Sequence, residues 1–318
     1  MNLDRFSRNS PFVGLAAVLL LFAVLPNFFT MATAGQVVVL AIFAMGYNVM
    51  FGFGGEMSFG HASFYGLGAF GMALLITELS VNPFLAMVVG PLIAATAGVV
   101  IGAVSLKRRG IYFAMISLAL AQMIYYYFVN NDTLSGGATG LYFPSVDMIV
   151  GPLSIVGEGV DFYLFAILLL VVIWLVIYRL LQSPYGMLLR AVRTNEQRVK
   201  YLGISTYQIL LSAFVISALI AGIAGVLYFL LNGFITPDLL FWALSGQVVI
   251  ITVLGGAGSL NGPIFGAFVF IVANNYLTQI TEHWPVVYGL LFVAVVLFLP
   301  GGMVSLRREL SERTQRDI

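Results

Sequence analysis

Apolar stretches dominate the chain, and each is about as long as a membrane-crossing helix. A spanning helix needs about 20 mostly apolar residues. Ten stretches approach that length, roughly Phe12–Phe29, Gln36–Phe53, Ser58–Ile76, Pro83–Leu106, Gly110–Val129, Phe162–Tyr178, Ile209–Leu231, Phe241–Gly255, Ile264–Ile280 and Trp284–Leu299. Glycines or polar residues interrupt the second, third, eighth and ninth. The sequence predicts an all-α, polytopic transmembrane helical bundle of about ten spans, forming one permease-sized domain over residues 1–318.

Composition excludes most other classes of protein. Of the 318 residues, 61% are apolar and 8% are charged, whereas a soluble domain carries about 25% charged residues. The net charge of +1 gives no bulk attraction to nucleic acid. The absence of cysteine removes disulfides, thiolate nucleophiles and Cys-ligated metals. No G-x-x-x-x-G-K-[ST] motif occurs, so we expect neither a P-loop for ATP nor a metal or other cofactor on this chain.

The basic residues orient the bundle. Lys and Arg are retained on the cytoplasmic side of a membrane. An N-terminus placed inside puts all 14 of them on that side: Arg5, Arg8, Lys107, Arg108, Arg109, Arg179, Arg190, Arg193, Arg198, Lys200, Arg307, Arg308, Arg313 and Arg316. The other side receives seven acids and no base: Glu78, Asp132, Asp147, Glu158, Asp161, Asp238 and Glu282. Both termini are therefore predicted to be cytoplasmic.

Two alternatives to ten spans remain. The charge distribution requires that the eighth and ninth spans both cross or both fail to cross, and the same holds for the second and third. Eight full spans with a re-entrant pair is therefore the alternative topology. Arg5, Arg8, the apolar run Phe12–Leu25 and the triplet Ala32–Ala34 also resemble a cleavable signal peptide. We expect the first helix to be retained.

Small residues recur four apart in three of the spans. They form the stripes Ala94, Gly98, Gly102; Ser217, Ala221, Gly225; and Gly262, Gly266. Such stripes let membrane helices approach closely, either within one bundle or against a partner subunit, and we expect packing within the bundle. The G-x-G-x-x-G pattern at Gly66–Gly71 lies inside an apolar span, so it indicates packing rather than a dinucleotide site.

The segment of about residues 182–208 is the most informative polar feature. Ser183 can cap a helix that begins at Pro184. Thr194 or Asn195 can cap a second short helix, which Gly203 would close. Two short amphipathic helices result, and they can serve either as an anchor on lipid headgroups or as a docking surface for a cytoplasmic protein. The longest outside segment is about residues 130–161, and neither segment is large enough for a nucleotide-hydrolysing domain.

Polar groups within the spans are few and mostly uncharged. The amides are Asn48, Gln122, Gln247, Asn274 and Asn275, which can hold helices together or line a wet passage. Glu56 and His61 lie in the glycine-rich stretch between the second and third spans. Ionisable groups at such depth mark ion paths by default, but we expect His61 to be hydrogen-bonded in packing rather than to act as a proton relay. Ser58 lies three residues before His61 and raises the alternative of an intramembrane hydrolase, but no acid is placed to orient the histidine.

Three stretches together resemble one known family. They are Gly46–Gly66, Arg190–Ile204 and Val253–Pro263. They are similar to the membrane subunit of the prokaryotic branched-chain amino acid ABC importers, and specifically to the M-type rather than the H-type permease. The resemblance implies a heterodimer with an H-type permease, two ABC ATPase subunits that bind ATP and Mg, and an extracytoplasmic substrate-binding protein. It also implies a multi-pass protein of the prokaryotic plasma (inner) membrane.

The resemblance assigns roles to the polar residues. It implies that the loop of residues 182–208 couples the permease to an ATPase, with candidates Arg190, Arg193, Glu196, Arg198, Lys200 and Gly203. It places the stretch around Gly54–Gly60 near the translocation path, for which the candidates are Asn48, Glu56, Ser58, His61, Gln122, Gln247, Asn274 and Asn275. Alternative functions are a permease for urea or short amides in the same family, or an ion-coupled secondary transporter.

Overall fold

The computed structural model describes residues 3–27, 29–142, 149–150, 153–154, 157, 159–280, 286 and 289–290. The helices of that part are α1 (Leu3–Val24), α2 (Met31–Asn48), α3 (His61–Thr77), α4 (Pro83–Ser105), α5 (Ile111–Val129), α6 (Asp132–Ser135), α7 (Val160–Gln182), α8 (Pro184–Thr194), α9 (Glu196–Tyr201), α10 (Thr206–Asn232), α11 (Trp242–Gly255) and α12 (Gly262–Ile280). Most of the predicted tenth span, the four arginines after it and parts of the 130–161 segment lie outside the described residues.

Four strands of two residues each complete the described structure. They are β1 (Leu141–Tyr142), β2 (Ile149–Val150), β3 (Leu153–Ser154) and β4 (Phe234–Ile235). β1 pairs antiparallel with β4, and β2 pairs antiparallel with β3. The first pair ties the segment after α5 to the chain that leaves α10.

Length and composition identify the helices that can cross a membrane. Five helices of the described part are long and apolar enough: Met31–Phe53, Pro83–Ser105, Ile111–Val129, Val160–Gln182 and Thr206–Asn232. Three shorter apolar helices, Pro11–Val24, His61–Thr77 and Trp242–Gly255, coincide with the predicted first, third and eighth spans. The chain is an all-α, polytopic membrane protein. The total of ten spans and the location of the termini stay predictions.

Small residues allow α10 to pack at the centre of the bundle, against α2, α3 and α4. A Cβ added to Gly68 on α3 would collide with the carbonyl oxygen of Gly222 on α10, and a Cβ on Gly225 would collide with that of Tyr65. A Cβ on Gly98 of α4 would lie 2.6 Å from the methyl group of Ala218. The backbones of α3 and α10 therefore touch directly at the first two points, and α4 meets a methyl group of α10 at the third. The prediction that the small-residue stripes serve packing within the bundle is confirmed.

The two ends of the bundle differ in charge. At one end, which we call the basic end, the loop between α4 and α5 meets α9, where Arg109 forms an ion pair with Glu196. At the opposite end, β1 pairs with β4, and Asn275 near the end of α12 hydrogen-bonds to Thr33 near the start of α2 (3.5 Å). Two of the predicted basic clusters thus lie together, as the charge distribution requires.

The second span is broken at the basic end. α2 continues through a π-helical turn, Val49–Phe53, and the chain then turns back into the bundle through residues 54–60, which we call the ascending segment. Ser58 on this segment hydrogen-bonds to Ser117, which lies six residues into α5, or about 9 Å at 1.5 Å per residue. His61, the first residue of α3, hydrogen-bonds to Ser217, which lies eleven residues into α10, or about 16 Å. α3 therefore begins inside the bundle.

The eighth span is broken at the opposite end. The chain leaves β4, forms a 3-10 turn at Pro237–Leu240 and only then starts α11. Ser245 in the first turn of α11 accepts a hydrogen bond from the N–H of Ala62 in the first turn of α3 (2.8 Å). The starts of the two broken helices therefore meet within the bundle.

Candidate functional site

The segment between α7 and α10 folds as two short helices, and its sequence predicts the caps. Ser183 accepts a hydrogen bond from the N–H of the third residue of α8, and Pro184 is the first residue of that helix. Asn195 caps α9 by accepting from the N–H of Arg198 (3.0 Å). Gly203 follows α9 with a φ of +77°, which favours glycine. The predicted pair of amphipathic helices is confirmed.

One face of α8 and α9 is buried and the other is exposed. The buried side chains are Leu189, Val192 and Val199. The exposed side chains are four of the predicted coupling cations, Arg190, Arg193, Arg198 and Lys200. Arg190 also donates a hydrogen bond to the carbonyl oxygen of Leu181 in the last turn of α7, which fixes α8 to that helix. α8 and α9 therefore present a cationic surface, and α8 is held to the last turn of α7.

Glu196 is the most highly connected side chain of the segment. Its Oε1 accepts hydrogen bonds from Arg109 (3.0 Å from Nη2 and 3.2 Å from Nε) and from the hydroxyl of Thr206 (2.8 Å), and it pairs with Lys200 at 3.0 Å. Partial burial alone would raise its pKa, but the hydrogen bonds from Thr206, Lys200 and Arg109 and the charge of Arg109 lower the pKa of Glu196 to about 2. The carboxylate joins α9 to the α4–α5 loop and to the start of α10.

Glu56 is the second acid near the same arginine. Its Oε2 accepts a hydrogen bond from the N–H of Gly110 (2.9 Å), and its Oε1 lies 3.9 Å from Nε of Arg109. Burial raises the pKa of Glu56, although the Gly110 N–H and the Arg109 charge act in the opposite direction. The negative charge of Glu196 adds to the increase. Glu56 therefore attaches the start of the ascending segment to the α4–α5 loop.

Arg193 reaches from α8 to both glycine-rich segments. Its Nη1 donates a hydrogen bond to the carbonyl oxygen of Gly52 in the π-helical turn. Its side chain passes so close to Gly55 and Gly258 that a Cβ on either would lie 2.8 Å from an atom of the arginine. Both glycines have positive φ, +83° and +82°. Arg193 therefore contacts the end of α2 and the loop between α11 and α12 together.

Asn48 connects the same two segments from inside the bundle. Its Nδ2 donates to the carbonyl oxygen of Ser259 (2.8 Å), and its Oδ1 accepts from the N–H of Gly258 (2.9 Å). The side chain is 2% exposed. In this conformation Asn48 uses both ends of its amide to hold the α11–α12 loop, and its role as a lining residue stays a prediction.

His61 and Ser58 do not form a nucleophile–base pair. Nε2 of His61 lies 2.7 Å from the hydroxyl of Ser217, whose single hydrogen is directed to the carbonyl oxygen of Gly46 (2.6 Å). His61 must therefore donate from Nε2, and its Nδ1 has no partner among the described residues. Ser58 instead donates to the hydroxyl of Ser117 (3.2 Å). The alternative of a hydrolase built on Ser58 and His61 loses its central contact.

The remaining amides lie apart from one another. Gln122 lines an open groove of about 550 Å³ on the outer face of α5, with Ala119, Met123, Tyr126, Tyr127, Asn130 and Asn131. Its Nε2 is buried without a hydrogen-bond partner in the described part of the chain, as is Oδ1 of Asn274. Gln247 on α11 is half-buried. No hydrogen bond within the described residues joins two of the predicted path amides.

Reasoning from the sequence did not identify Arg109 as a site residue, and it missed Ser245 and the pairing role of Ser217. Arg109 served only as one of the orienting cations. A signal was present, since Glu56 is an acid next to a span and acids in such places need a partner. The serines offered none, because a hydroxyl within a span also bonds to its own helix, as Thr252 does with Val248 (2.8 Å).

The chain is similar to a family of known proteins over most of its length. Residues 29–298 match the family described as branched-chain amino acid transport system, permease component. The high-affinity branched-chain amino acid transport system permease protein LivM of Escherichia coli (strain K12) is 30% identical over 300 residues, covering 88% of this chain and 71% of the relative. LivH of Salmonella typhimurium (strain LT2) is 28% identical over 285 residues, covering 83% and 91%. BraD of Pseudomonas aeruginosa is 27% identical over 283 residues, also covering 83% and 91%. No solved structure matches the chain.

Proposed function

This chain belongs to the branched-chain amino acid transport permeases, within the M type, and from that premise we propose that it is a membrane subunit of an ATP-driven importer of branched-chain amino acids. It is a transport subunit without catalysis of its own. A second permease of the H type, similar to LivH and BraD, completes the transport system. The membrane is the prokaryotic inner membrane, with both termini and the basic end in the cytoplasm.

The energy for transport comes from two separate ABC ATPase subunits that bind ATP and Mg. The support for this proposal is the construction of the basic end. α8 and α9 expose Arg190, Arg198 and Lys200, and Glu196, which pairs with Lys200 at 3.0 Å, is also bonded to Arg109 and Thr206. A docked ATPase that pushes on the cationic face would therefore move groups fixed to α5 and α10. An extracytoplasmic binding protein would deliver the amino acid at the opposite end.

The solute path is proposed to run along the outer face of α5. Gln122 and Asn130 lie on the groove of this helix together with exposed Met123 (68%) and Tyr126 (58%). An amide facing lipid would have no hydrogen-bond partner, so polar groups on a span face protein or water. A face that mixes amides with apolar side chains suits a zwitterion that carries an aliphatic side chain. The H-type permease would close the open side of the groove.

The experiment that tests the proposed function is purification of the chain from its native membrane in mild detergent, followed by reconstitution. We expect an H-type permease and two ATPase subunits to co-purify, and we expect proteoliposomes with the binding protein to accumulate leucine, isoleucine and valine only with ATP. Uptake by the purified chain alone would contradict the proposal.

Two further outcomes would support the alternative functions. Uptake of urea or short amides in place of branched-chain amino acids would redirect the substrate to another branch of the family. Uptake that survives ATP depletion and collapses with an ion gradient would identify a secondary transporter.

A further inference from the structure

A single arginine stands between two carboxylates that belong to different parts of the chain. Nη2 of Arg109 lies 3.0 Å from Oε1 of Glu196 on α9, and its Nε lies 3.9 Å from Oε1 of Glu56 on the ascending segment. Its remaining nitrogen, Nη1, is buried and has no hydrogen-bond partner in the described part of the chain. The guanidinium is therefore bonded to one acid and within reach of the other, with a donor to spare.

The two acids differ in what they are attached to. Glu196 is the first residue of α9, so it moves with anything that docks on α8 and α9. Glu56 is bonded to the N–H of Gly110 and lies two residues before Ser58, which is bonded to Ser117 on α5. Five residues after Glu56, the chain enters α3 at His61. A displacement of Glu56 therefore reaches the start of α3 within the bundle.

The unused donor indicates a second arrangement of the same three side chains. A buried N–H without an acceptor is unfavourable, so this conformation does not use the full bonding capacity of Arg109. A shift of the guanidinium toward Glu56 would shorten the 3.9 Å separation and bring an acceptor to the spare donor. It would also loosen the contacts to Glu196, which keeps Thr206 and Lys200 as partners.

We propose that Arg109 is a positioning residue for transport, whose guanidinium passes from Glu196 to Glu56 when α9 moves and thereby shifts the ascending segment with the coupling helices. The inference rests on the proposed function, because it takes the movement of α9 from the ATPases. It goes further by naming the side chains that carry this movement into the bundle.

The test measures uptake and ATP hydrolysis together, in proteoliposomes that contain the complete complex and the binding protein. Glu56→Gln removes the second charged partner of Arg109, and we expect the amount of leucine imported per ATP to fall about fivefold or more, a typical size for a coupling between sites. The ATPase rate and the yield of complex should stay near wild type. Arg109→Lys keeps the charge but not the two-pronged geometry, and should give an intermediate loss.

Arg108→Gln is the matched control. Arg108 lies in the same loop, is exposed, and forms no ion pair with any residue that the structure describes. We expect this variant to import as much leucine per ATP as wild type. An equal loss in Arg108→Gln and Glu56→Gln would show that coupling does not depend on the contacts of Arg109 in particular, and would overturn the inference.

The double variant Glu56→Gln, Glu196→Gln distinguishes an exchange of Arg109 between the two acids from two contacts that act independently. If Arg109 connects the two acids, the double variant should lose no more coupling than the more damaged single variant. Losses that multiply would overturn the inference, as would parallel falls in ATPase rate and uptake that leave their ratio unchanged. Failure of the wild-type complex to import with ATP is a different outcome, and would refute the proposed function.

Discussion

His61 on α3 and Ser217 on α10, 156 residues apart in the sequence, share a hydrogen bond of 2.7 Å at a place where neither side chain is exposed. The hydroxyl of Ser217 in turn donates a hydrogen bond to the carbonyl oxygen of Gly46 on α2. Three helices are therefore connected through one hydroxyl group at the point where α3 begins.

Replacing this hydroxyl should destabilise the fold. Ser217→Ala leaves the Nε2–H of His61 without an acceptor in a buried site, and we expect the free energy of unfolding to fall by about 1–3 kcal/mol. Denaturant unfolding in detergent micelles measures this free energy for wild type and variant. Thr96→Ala is the control, because the exposed hydroxyl of Thr96 bonds to Ile93 on its own helix. Equal stability of the two variants would contradict the prediction.

Removal of the Asn48 amide should free the α11–α12 loop. Asn48→Ala deletes the acceptor for the Gly258 N–H and the donor to Ser259. We expect hydrogen exchange at Gly258 to speed up by about tenfold or more, since a loss of about 1.4 kcal/mol is a factor of ten. Mass spectrometry of the exchanged protein gives the rate. Asn232→Ala, which removes an exposed amide bonded to Tyr228 on the same helix, should leave exchange at Gly258 unchanged.

The partly buried carboxyl of Glu56 should make the free energy of unfolding depend on pH. Burial raises its pKa above the ordinary value of 4.5 in the folded chain, so between these two values the folded chain holds the proton more tightly than the unfolded chain. Wild type should therefore lose stability relative to Glu56→Gln as the pH rises from 4.5 through the folded pKa, and the difference should then level off. Thermal unfolding of both proteins across this range measures the difference.

Glu196 supplies the contrast for the pH experiment. Its pKa is lowered to about 2, so the stabilisation that it gives is fully present above its ordinary value of 4.5 and is lost only as the pH falls toward 2. The stability difference between wild type and Glu196→Gln should therefore stay constant from about pH 5 to pH 8. A slope from about pH 5 to pH 8 for Glu196→Gln, or no slope at any pH above 4.5 for Glu56→Gln, would count against the two assignments.

The coupling residues should separate ATP hydrolysis from import. Reversal of charge at Arg193 removes the donor to Gly52, and Glu196→Gln weakens the ion pair with Arg109. We expect either change to lower uptake at least about fivefold at a nearly unchanged ATPase rate. Arg179→Gln, at an exposed position in the last turn of α7, is the matched loss of a cation. Normal uptake in assembled complexes that carry both coupling changes would contradict the role of this segment.

The proposed path along α5 can be mapped with single cysteines, because the natural chain has none. Gln122→Cys should react with a water-soluble thiol reagent in the assembled complex, and an excess of leucine should slow the reaction. Leu168→Cys, on a 60% exposed position of α7, should face lipid and stay unreactive. Equal reactivity at the two positions would remove the support for a wet passage at α5.

Features of short range could be predicted from the sequence. Ser183 before Pro184 and Asn195 before Glu196 mark helix starts through the chemistry of a few neighbouring residues, and α8 and α9 begin where these caps place them. The charge distribution also required that the α4–α5 loop and α9 lie at one end, and the pair of Arg109 with Glu196 meets that requirement. Both inferences depend on local bonding or on the sign of a charge relative to the membrane.

Partners distant in the sequence could not be predicted in this way. An amide within a span can line water or hold a neighbouring backbone, and only the position of Ser259, 211 residues away, shows that Asn48 does the second. The proximity of Ser58 and His61 in the sequence raised a pairing that the fold does not make, because Ser58 bonds to Ser117 on α5 and His61 bonds to Ser217 on α10. Arg109 is a site residue because it contacts two acids that lie 53 and 87 residues away in the sequence.

The direct contacts between the backbones of α3 and α10 have a mechanical consequence. Where Gly68 meets Gly222 and Gly225 meets Tyr65, no flexible side chain lies between the helices to absorb a sliding motion. These helices, with α4 packed against them, must therefore move together as one rigid unit in any cycle of opening and closing. The hinge then falls at the ascending segment before His61, so a stiffening substitution there would slow turnover without loosening the packing of these helices.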